Sequence, residues 1–285
     1  MNHKELAKLI TLLENNPDEG RKVLKRLPKG RAKVIGFTGS PGVGKSCTVD
    51  QLTRVARERN KKVAIIAVDP SSPFSNGAFL GDRIRMRRHF LDNSVFIRSM
   101  ATRGALGGLN KAVFDTVEAF EAYGFDYVFI ETVGTGQSET DILYVADVVV
   151  LVLAPGFGDE IQMFKAGIME IADLYVINKS DLAESDLLYG KLQAFLSSVE
   201  NKQKIVKISA LNGFNIESLF SEIEDTWNTL EHNGKLVQKR KIRVQKHASQ
   251  IIGELVEKTL PHIEGNSAEE IAMKLLERIC SKKIT

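Results

Sequence analysis

The chain has 285 residues, enough for one large α/β domain with appendages or for two small domains. Hydrophobic residues make up 43% and charged residues 26%, a globular balance, and no stretch reaches the ~20 apolar residues of a membrane span. A formal net charge of +3 is too small to point to nucleic acid.

Two cysteines, Cys47 and Cys280, make no disulfide framework and suit a reducing compartment. The opening MNHKELAKLITLLENNPDEG has no signal-type apolar core, so a cytoplasmic location is expected. Its Leu6, Leu9, Ile10 and Leu13 predict an amphipathic helix, and one or two helices are expected over residues 3–27, up to a joint at Pro28 to Gly30. Apolar runs at 32–39, 63–69, 95–100, 127–131, 145–155, 174–179 and 204–209 predict strands. Helices are expected between and after them, near 45–60, 82–90, 109–122, 160–171, 185–199 and 216–230. Such alternation predicts an α/β fold with a mostly parallel central sheet. The pattern changes after Asn233, where a basic, helical stretch begins. A final helix is expected after a cap at Asn266 or Ser267. The expected organisation is an N-terminal helical extension (1–30), a nucleotide-binding domain (31–232) and a C-terminal helical arm (233–285).

The strongest motif is GSPGVGKS, from Gly39 through Ser40, Pro41, Gly42, Val43 and Gly44 to Lys45 and Ser46. It has the P-loop form, preceded by an apolar strand and followed by a helix. Glycines let backbone N–H groups converge on phosphate oxygens, Lys45 can reach the β and γ phosphates, and Ser46 can ligate Mg²⁺. Asn178-Lys179-Ser180-Asp181 has the Asn-Lys-x-Asp form of a guanine-recognising loop. The Asp181 carboxylate can accept from guanine's ring N–H and exocyclic amine. Asn178 would brace the loop, and Lys179 would lie over the base. Ser209-Ala210-Leu211 follows the last strand, where such proteins place a backbone N–H against guanine O6. GTP and GDP are therefore the expected nucleotides.

ETVG (131–134) has the acid-x-x-Gly form of a switch: the Gly134 N–H can report a γ-phosphate, and Glu131 can hold Mg²⁺ directly or through water. Asp69, at the end of another strand, and Asp82 are further candidates; Asp82 also suits a helix cap. Ser46, Asp69, Asp82 and Glu131 together make an all-oxygen metal environment. Gln137 lies beyond the usual water-positioning place, which Thr135 occupies. Arg83, Arg85, Arg87, Arg88 and His89 form a basic run, readable as a solvated helix face or as a docking patch.

Together AVDPSSPF, FLGDRIRM, FIRSMATRGALGGL, ETVGTGQSETD, PGFGDEIQMFKAGIMEIADLYVINKSD and SAL resemble the MeaB/ArgK-type P-loop GTPases, the G-protein chaperones of methylmalonyl-CoA mutase, across about residues 30–230. The resemblance implies a SIMIBI-like G domain, GTP and Mg²⁺ binding, slow hydrolysis and homodimers formed through helices outside the G domain. It implies a partner, an adenosylcobalamin-dependent acyl-CoA mutase whose cofactor loading is gated and which is protected or reactivated. Residue by residue, it matches Gly39–Ser46 to the phosphate loop, Asp69, Asp82 and Glu131 to acids around the metal, and Gly134 to Asp141 to the second switch; the catalytic candidates are Lys45, Glu131 and Gln137. It adds Lys165, in a loop from Gly156, as a group that approaches the nucleotide. Arg98 and Arg103 lie in the matching RSMATRG segment, between switch and partner. Two departures stand out: Cys47 replaces the usual threonine after Lys-Ser, and the tail is short. Competing readings are a small-molecule kinase, a metallochaperone for nickel enzymes, which the scattered histidines disfavour, and a structural dimer. Neither nucleic acid nor membrane is an expected partner.

Overall fold

The structure, a computed structural model, describes residues 2–69, 86–101, 111–132, 141–156, 169, 172–199 and 203–281. It divides into two compact units, Met1–Lys239 and Arg240–Thr285.

In the first unit, seven strands form one sheet: β1 (Lys33–Thr38), β2 (Val63–Asp69), β3 (Val95–Ala101), β4 (Tyr127–Glu131), β5 (Val148–Leu153), β6 (Leu174–Ile177) and β7 (Ile205–Lys207). Their order is β3-β2-β4-β1-β5-β6-β7, and every pairing between them is parallel. The helices are α1 (His3–Asn15), α2 (Pro17–Leu24), α3 (Lys45–Glu58), α4 (Val113–Ala122), the one-turn α5 (Ile142–Val145), α6 (Glu184–Ser198) and α7 (Ile216–His232). The helix expected over 109–122 begins at Val113; Lys111 and Ala112 form a turn. The strand expected over 204–209 stops at Lys207, because the chain turns and Ser209 bridges back to Phe214.

Strand periodicity sorts the core. Ile35 and Phe37 of β1, with Val63 and Ile65 of β2, point to one face and pack with Val49, Leu52 and Val55 of α3 and Phe220, Ile223 and Trp227 of α7. Val34, Ala64 and Ile66 point to the other, against Leu6, Ile10 and Leu13 of α1 and Phe120 of α4. Gly36 admits Ile142 to that face: a Cβ there would stand 2.5 Å from the Ile142 Cγ1. The N-terminal helices are thus part of the sheet's second apolar layer, and α2 is further tied down by Arg21, whose Nε lies 3.0 Å from both oxygens of the buried Asp115 on α4. Arg98 of β3 ion-pairs with Glu14 of α1.

At the sheet end opposite the phosphate loop, the buried Asp147 accepts from the Val34 N–H (3.1 Å) and from the Trp227 indole (3.3 Å). Lys239 donates to the Asp147 carbonyl at 3.1 Å and ion-pairs with Asp173. Nearby, Glu224 takes Lys33 at 2.7 Å and the Tyr127 hydroxyl at 2.8 Å; burial, then Glu224, push the Tyr127 phenol far above its ordinary range.

Helix α8 (Lys235–Thr259) begins in the first unit and continues through the second, followed by a 3₁₀ turn (Leu260–His262) and α9 (Ala268–Ser281). Ser267 caps α9, accepting from the Glu270 N–H at 3.1 Å, while Glu270 reaches back to the Asn266 N–H at 2.9 Å. None of the residues of α9 is buried, and Met273 and Leu276 are well exposed. Among the described residues, no helix is long and apolar enough to cross a membrane.

Ile10→Ala tests whether α1 is integral to this core. Ile10 is fully buried, so truncation should cost about 3 kcal/mol. The single tryptophan, Trp227, lies on the opposite face of the sheet; its fluorescence in urea should report a lower midpoint for the whole unit. An unchanged Trp227 midpoint would show that the helix is a separable decoration.

Candidate functional site

The phosphate loop leaves the central strand β1 and turns into α3. At two of its glycines a Cβ would also collide. Gly39 has φ +138°, and a Cβ there would stand 2.1 Å from the Val152 carbonyl oxygen. Gly44 has φ +97°, and a Cβ would stand 2.2 Å from Asn178 Nδ2. Pro41 and Gly42 form the exposed tip of the loop, with Val43 buried behind them. Lys45 is buried and spans the loop: its Nζ donates to the Gly39 carbonyl at 2.6 Å and the Ser40 carbonyl at 3.1 Å. Cys47, one residue beyond Ser46, is an exposed free thiol.

Strand pairing delivers the acid. Glu131 lies opposite Phe37 of β1 and Ala67 of β2, and the Thr132 N–H donates to the Phe37 carbonyl at 3.1 Å. The Glu131 Oε1 therefore meets the Ser46 hydroxyl at 2.6 Å, both side chains being buried. Asp69 closes β2. Asp82, Gly134, Gln137 and Lys165 lie outside the described residues, as do Arg83, Arg85 and Arg103. Among the described residues no group of three or more His, Cys, Asp and Glu side chains stands ready for a metal; the local oxygen pair is a serine and a glutamate.

The Asn-Lys-x-Asp loop, the candidate base loop, follows β6. Asn178 is buried and joins three segments: its N–H donates to the Leu153 carbonyl at 2.8 Å, its Nδ2 to the Val43 carbonyl at 2.8 Å, and its Oδ1 accepts from the Ala210 N–H at 2.9 Å. Lys179 has φ +59°, and the Ser180 N–H donates to the Ile208 carbonyl at 2.9 Å. Asp181 is exposed; the nearby Ser209 hydroxyl, then its own N–H, hold its carboxyl below the ordinary aspartate range. With its pKa depressed, the ionised form that can accept from a base persists at neutral pH and is lost only as pH falls below that range.

Two residues of α3 make contacts here that have no local signature. Gln51 of α3 donates from Nε2 to the Ala210 carbonyl at 3.0 Å. Asp50, also on α3, is buried and holds Arg88, with Nε at 3.0 Å, and the His89 ring, with Nε2 at 3.1 Å. The expectation of a solvated basic face thus fails at His89, which is buried, and Arg88 is bound to a carboxylate. A basic run separated by some forty residues from its acid gives no sequence cue to the pairing.

The sequence matches the family described as "Methylmalonyl Co-A mutase-associated GTPase MeaB" over residues 6–264. The chain belongs to this family. A putative GTPase of Pyrococcus horikoshii is 45% identical over 264 residues, covering 90% of this chain and 83% of that protein. The mitochondrial methylmalonic aciduria type A homolog of Caenorhabditis elegans is 34% identical, covering 82% of this chain and 61% of its own. The crystal structure of an LAO/AO transport system kinase has the same fold, with a TM-score of 0.66 over 98% of this chain and 94% of that one at 24% identity. Hydrogenase maturation factor HypB of Archaeoglobus fulgidus shares the fold with a TM-score of 0.52 over 78% of this chain and 99% of that one, at 18% identity. The MeaB assignment makes the chain a P-loop GTPase of the group associated with adenosylcobalamin-dependent mutases, and the phosphate and base loops just described lie within the matched span.

Asn178→Ala removes the clamp between those loops and leaves the buried Val43 carbonyl and Ala210 N–H without it. At roughly 1–3 kcal/mol for each stranded group, GTP affinity should fall on the order of 10²-fold. Calorimetric titration checks this; a loss below about threefold would mean that the clamp is dispensable.

Proposed function

We propose that the chain is a GTP-dependent switch that acts on an adenosylcobalamin-dependent acyl-CoA mutase, methylmalonyl-CoA mutase or a close relative of it. In this reading it gates cofactor loading and protects or reactivates the mutase, and it hydrolyses GTP slowly. The observation that carries it is the 2.6 Å contact between Ser46 and Glu131, which joins the phosphate loop to the strand leading into the switch segment. Family membership supplies the partner class.

The donor chemistry suits Mg²⁺: a hydroxyl and a carboxylate oxygen, both hard ligands, already converge. Bound there, Mg²⁺ would neutralise charge on the β and γ phosphate oxygens. Ser46 and Glu131 would hold it, with Asp69 and Asp82 completing the oxygen set directly or through water. Lys45 would exchange its bonds to the Gly39 and Ser40 carbonyls for phosphate oxygens, and the N-terminal turn of α3, including the Cys47 N–H, would add backbone donors. Gly134 would report the γ-phosphate, Gln137 would orient water and Lys165 would approach the nucleotide. Asp181 would take guanine's two donors, with Asn178 as brace and Lys179 across the base. The active form would be a homodimer built through the 233–285 arm, a reading supported by α9 and its exposed Met273 and Leu276.

Two measurements test this. Asp181→Asn should weaken GTP binding at least tenfold and favour xanthosine triphosphate, whose C2 carbonyl would meet the new amide; equal GTP affinity in variant and wild type would remove Asp181 from the base site. For the switch, purified methylmalonyl-CoA mutase is titrated with the protein loaded with GDP or with a nonhydrolysable GTP analogue. The two states should differ in affinity, and Glu131→Gln should shrink that difference, since a switch transmits only the difference between its nucleotide contacts. Identical affinities in both states of the wild type would overturn the proposal.

A further inference from the structure

Helix α3 carries Lys45 and Ser46 in its first turn, and Asp50 is its only acid before Glu58. Ser46 and Asp50 are four residues apart, so they lie on one side of the helix, about 6 Å apart along its axis. A carboxylate this close to a phosphate site opposes anion binding, and Asp50 is buried, with 7% of its side chain exposed. Its charge is met by Arg88, whose Nε lies 3.0 Å from Oδ1 and whose Nη2 pairs with Oδ2. The His89 Nε2 reaches Asp50 Oδ1 at 3.1 Å and the Asp50 carbonyl at 3.2 Å. Both of those are acceptors, so a neutral imidazole with its hydrogen on Nε2 satisfies them. Cancelling the charge falls to Arg88.

Among the described residues, no other arginine or lysine pairs with Asp50. The remaining arginines on the inner turns of α3 are committed elsewhere: Arg54 to Gln51 at 3.2 Å and Glu58 at 2.6 Å, and Arg57 to Asp92 at 2.7 Å. Lys45 donates to the carbonyls of its own loop. GTP carries more negative charge than GDP, so an uncancelled Asp50 would oppose GTP the more strongly. At a separation of about 10 Å and an effective dielectric of about 20, each extra unit of charge is worth roughly tenfold in affinity. Arg88 is 46% exposed, and solvent screening there reduces the effect to about fivefold.

We propose that Arg88 sets the preference between GTP and GDP. It touches neither nucleotide; by cancelling the charge of Asp50 it keeps the first turn of α3 receptive to the more anionic ligand. One member of a basic run that could be read as a docking patch is thereby assigned to the nucleotide site. The proposal rests on the reading of 39–46 as the phosphate site.

Affinities for GDP and for a nonhydrolysable GTP analogue, both with Mg²⁺, are measured by calorimetry for the wild type, Arg88→Gln, Arg88→Lys, Asp50→Asn and the double variant Asp50→Asn/Arg88→Gln. The ratio of the two affinities is the readout. Arg88→Gln should shift that ratio away from the GTP analogue by about fivefold, and Asp50→Asn should shift it the other way. Arg88→Lys keeps the charge but loses the two-pronged fit, and its ratio should stay within about twofold of the wild type. The double variant, neutral at both positions, should return to the same range. A packing role would lower both affinities together, would treat lysine like glutamine, and would not be repaired by removing the second partner. An unchanged ratio in Arg88→Gln therefore overturns the proposal, and so does a double variant whose ratio stays at the Arg88→Gln value. Should Arg88→Gln fail to fold, the step from Asp50→Asn to the double variant removes the same charge, and a ratio that does not fall across that step overturns the proposal equally. A Lys45→Ala variant that binds both nucleotides as the wild type does would instead refute the phosphate-site reading itself.

Discussion

The parallel pairing of β1 with β4 is the constraint on which the site depends. Because Phe37 stands opposite Glu131, the last residue of β4 arrives beside the loop that β1 feeds. A slip of one residue would reverse the side chain to the other face of the sheet, and the 2.6 Å contact with Ser46 would be lost. The same topology sets the place of the cleft. From β1 the chain runs outward to β2 and β3, returns to β4, then crosses to β5, β6 and β7 on the far side. All carboxyl ends lie at one edge, and a ligand crevice opens where the strand order reverses.

The second requirement is that two loops far apart in sequence behave as one. Gly44 admits Asn178 because it has no Cβ, and Asn178 in return binds Val43. A methyl group at Gly44 would collide with the amide that secures the base loop, so the phosphate loop's sequence is constrained by a partner 134 positions away as well as by its own φ. Gln51 repeats the logic on the next turns of α3, linking that helix to Ala210. The two loops are therefore built on a common rigid support, the arrangement that best retains geometry on binding.

These relations explain which parts of the molecule could be read in the sequence. Strands such as VVVLVL and VAIIAVD announce themselves because parallel strands covered on both faces must be apolar throughout, and β5 and most of β2 are buried. The phosphate loop is legible because its demands are local: glycines at fixed spacing, then a lysine and a hydroxyl. The end of β7 was not, since it is decided by Ser209 pairing with Phe214 and no apolar pattern records a turn's hydrogen bonds. Gln51 and Asp50 look like any polar residues on a helix. Their roles come from Ala210, Arg88 and His89, which only the folded chain brings to α3. The use of the Ala210 N–H by Asn178 was hidden for the same reason.

The two ends of the sheet use polar groups differently, and the difference bears on function. At the end away from the phosphate loop, Asp147 binds a backbone N–H and an indole, and Glu224 binds a lysine and a phenol. Those partners are complementary, so they lock α7 to the strands. At the phosphate-loop end the pairings are of another kind. Lys45 leans on two carbonyls of its own loop, and Ser46 on Glu131. A lysine that donates to neutral carbonyls gains more from an anionic oxygen, and a hydroxyl beside a carboxylate gains more from a shared cation.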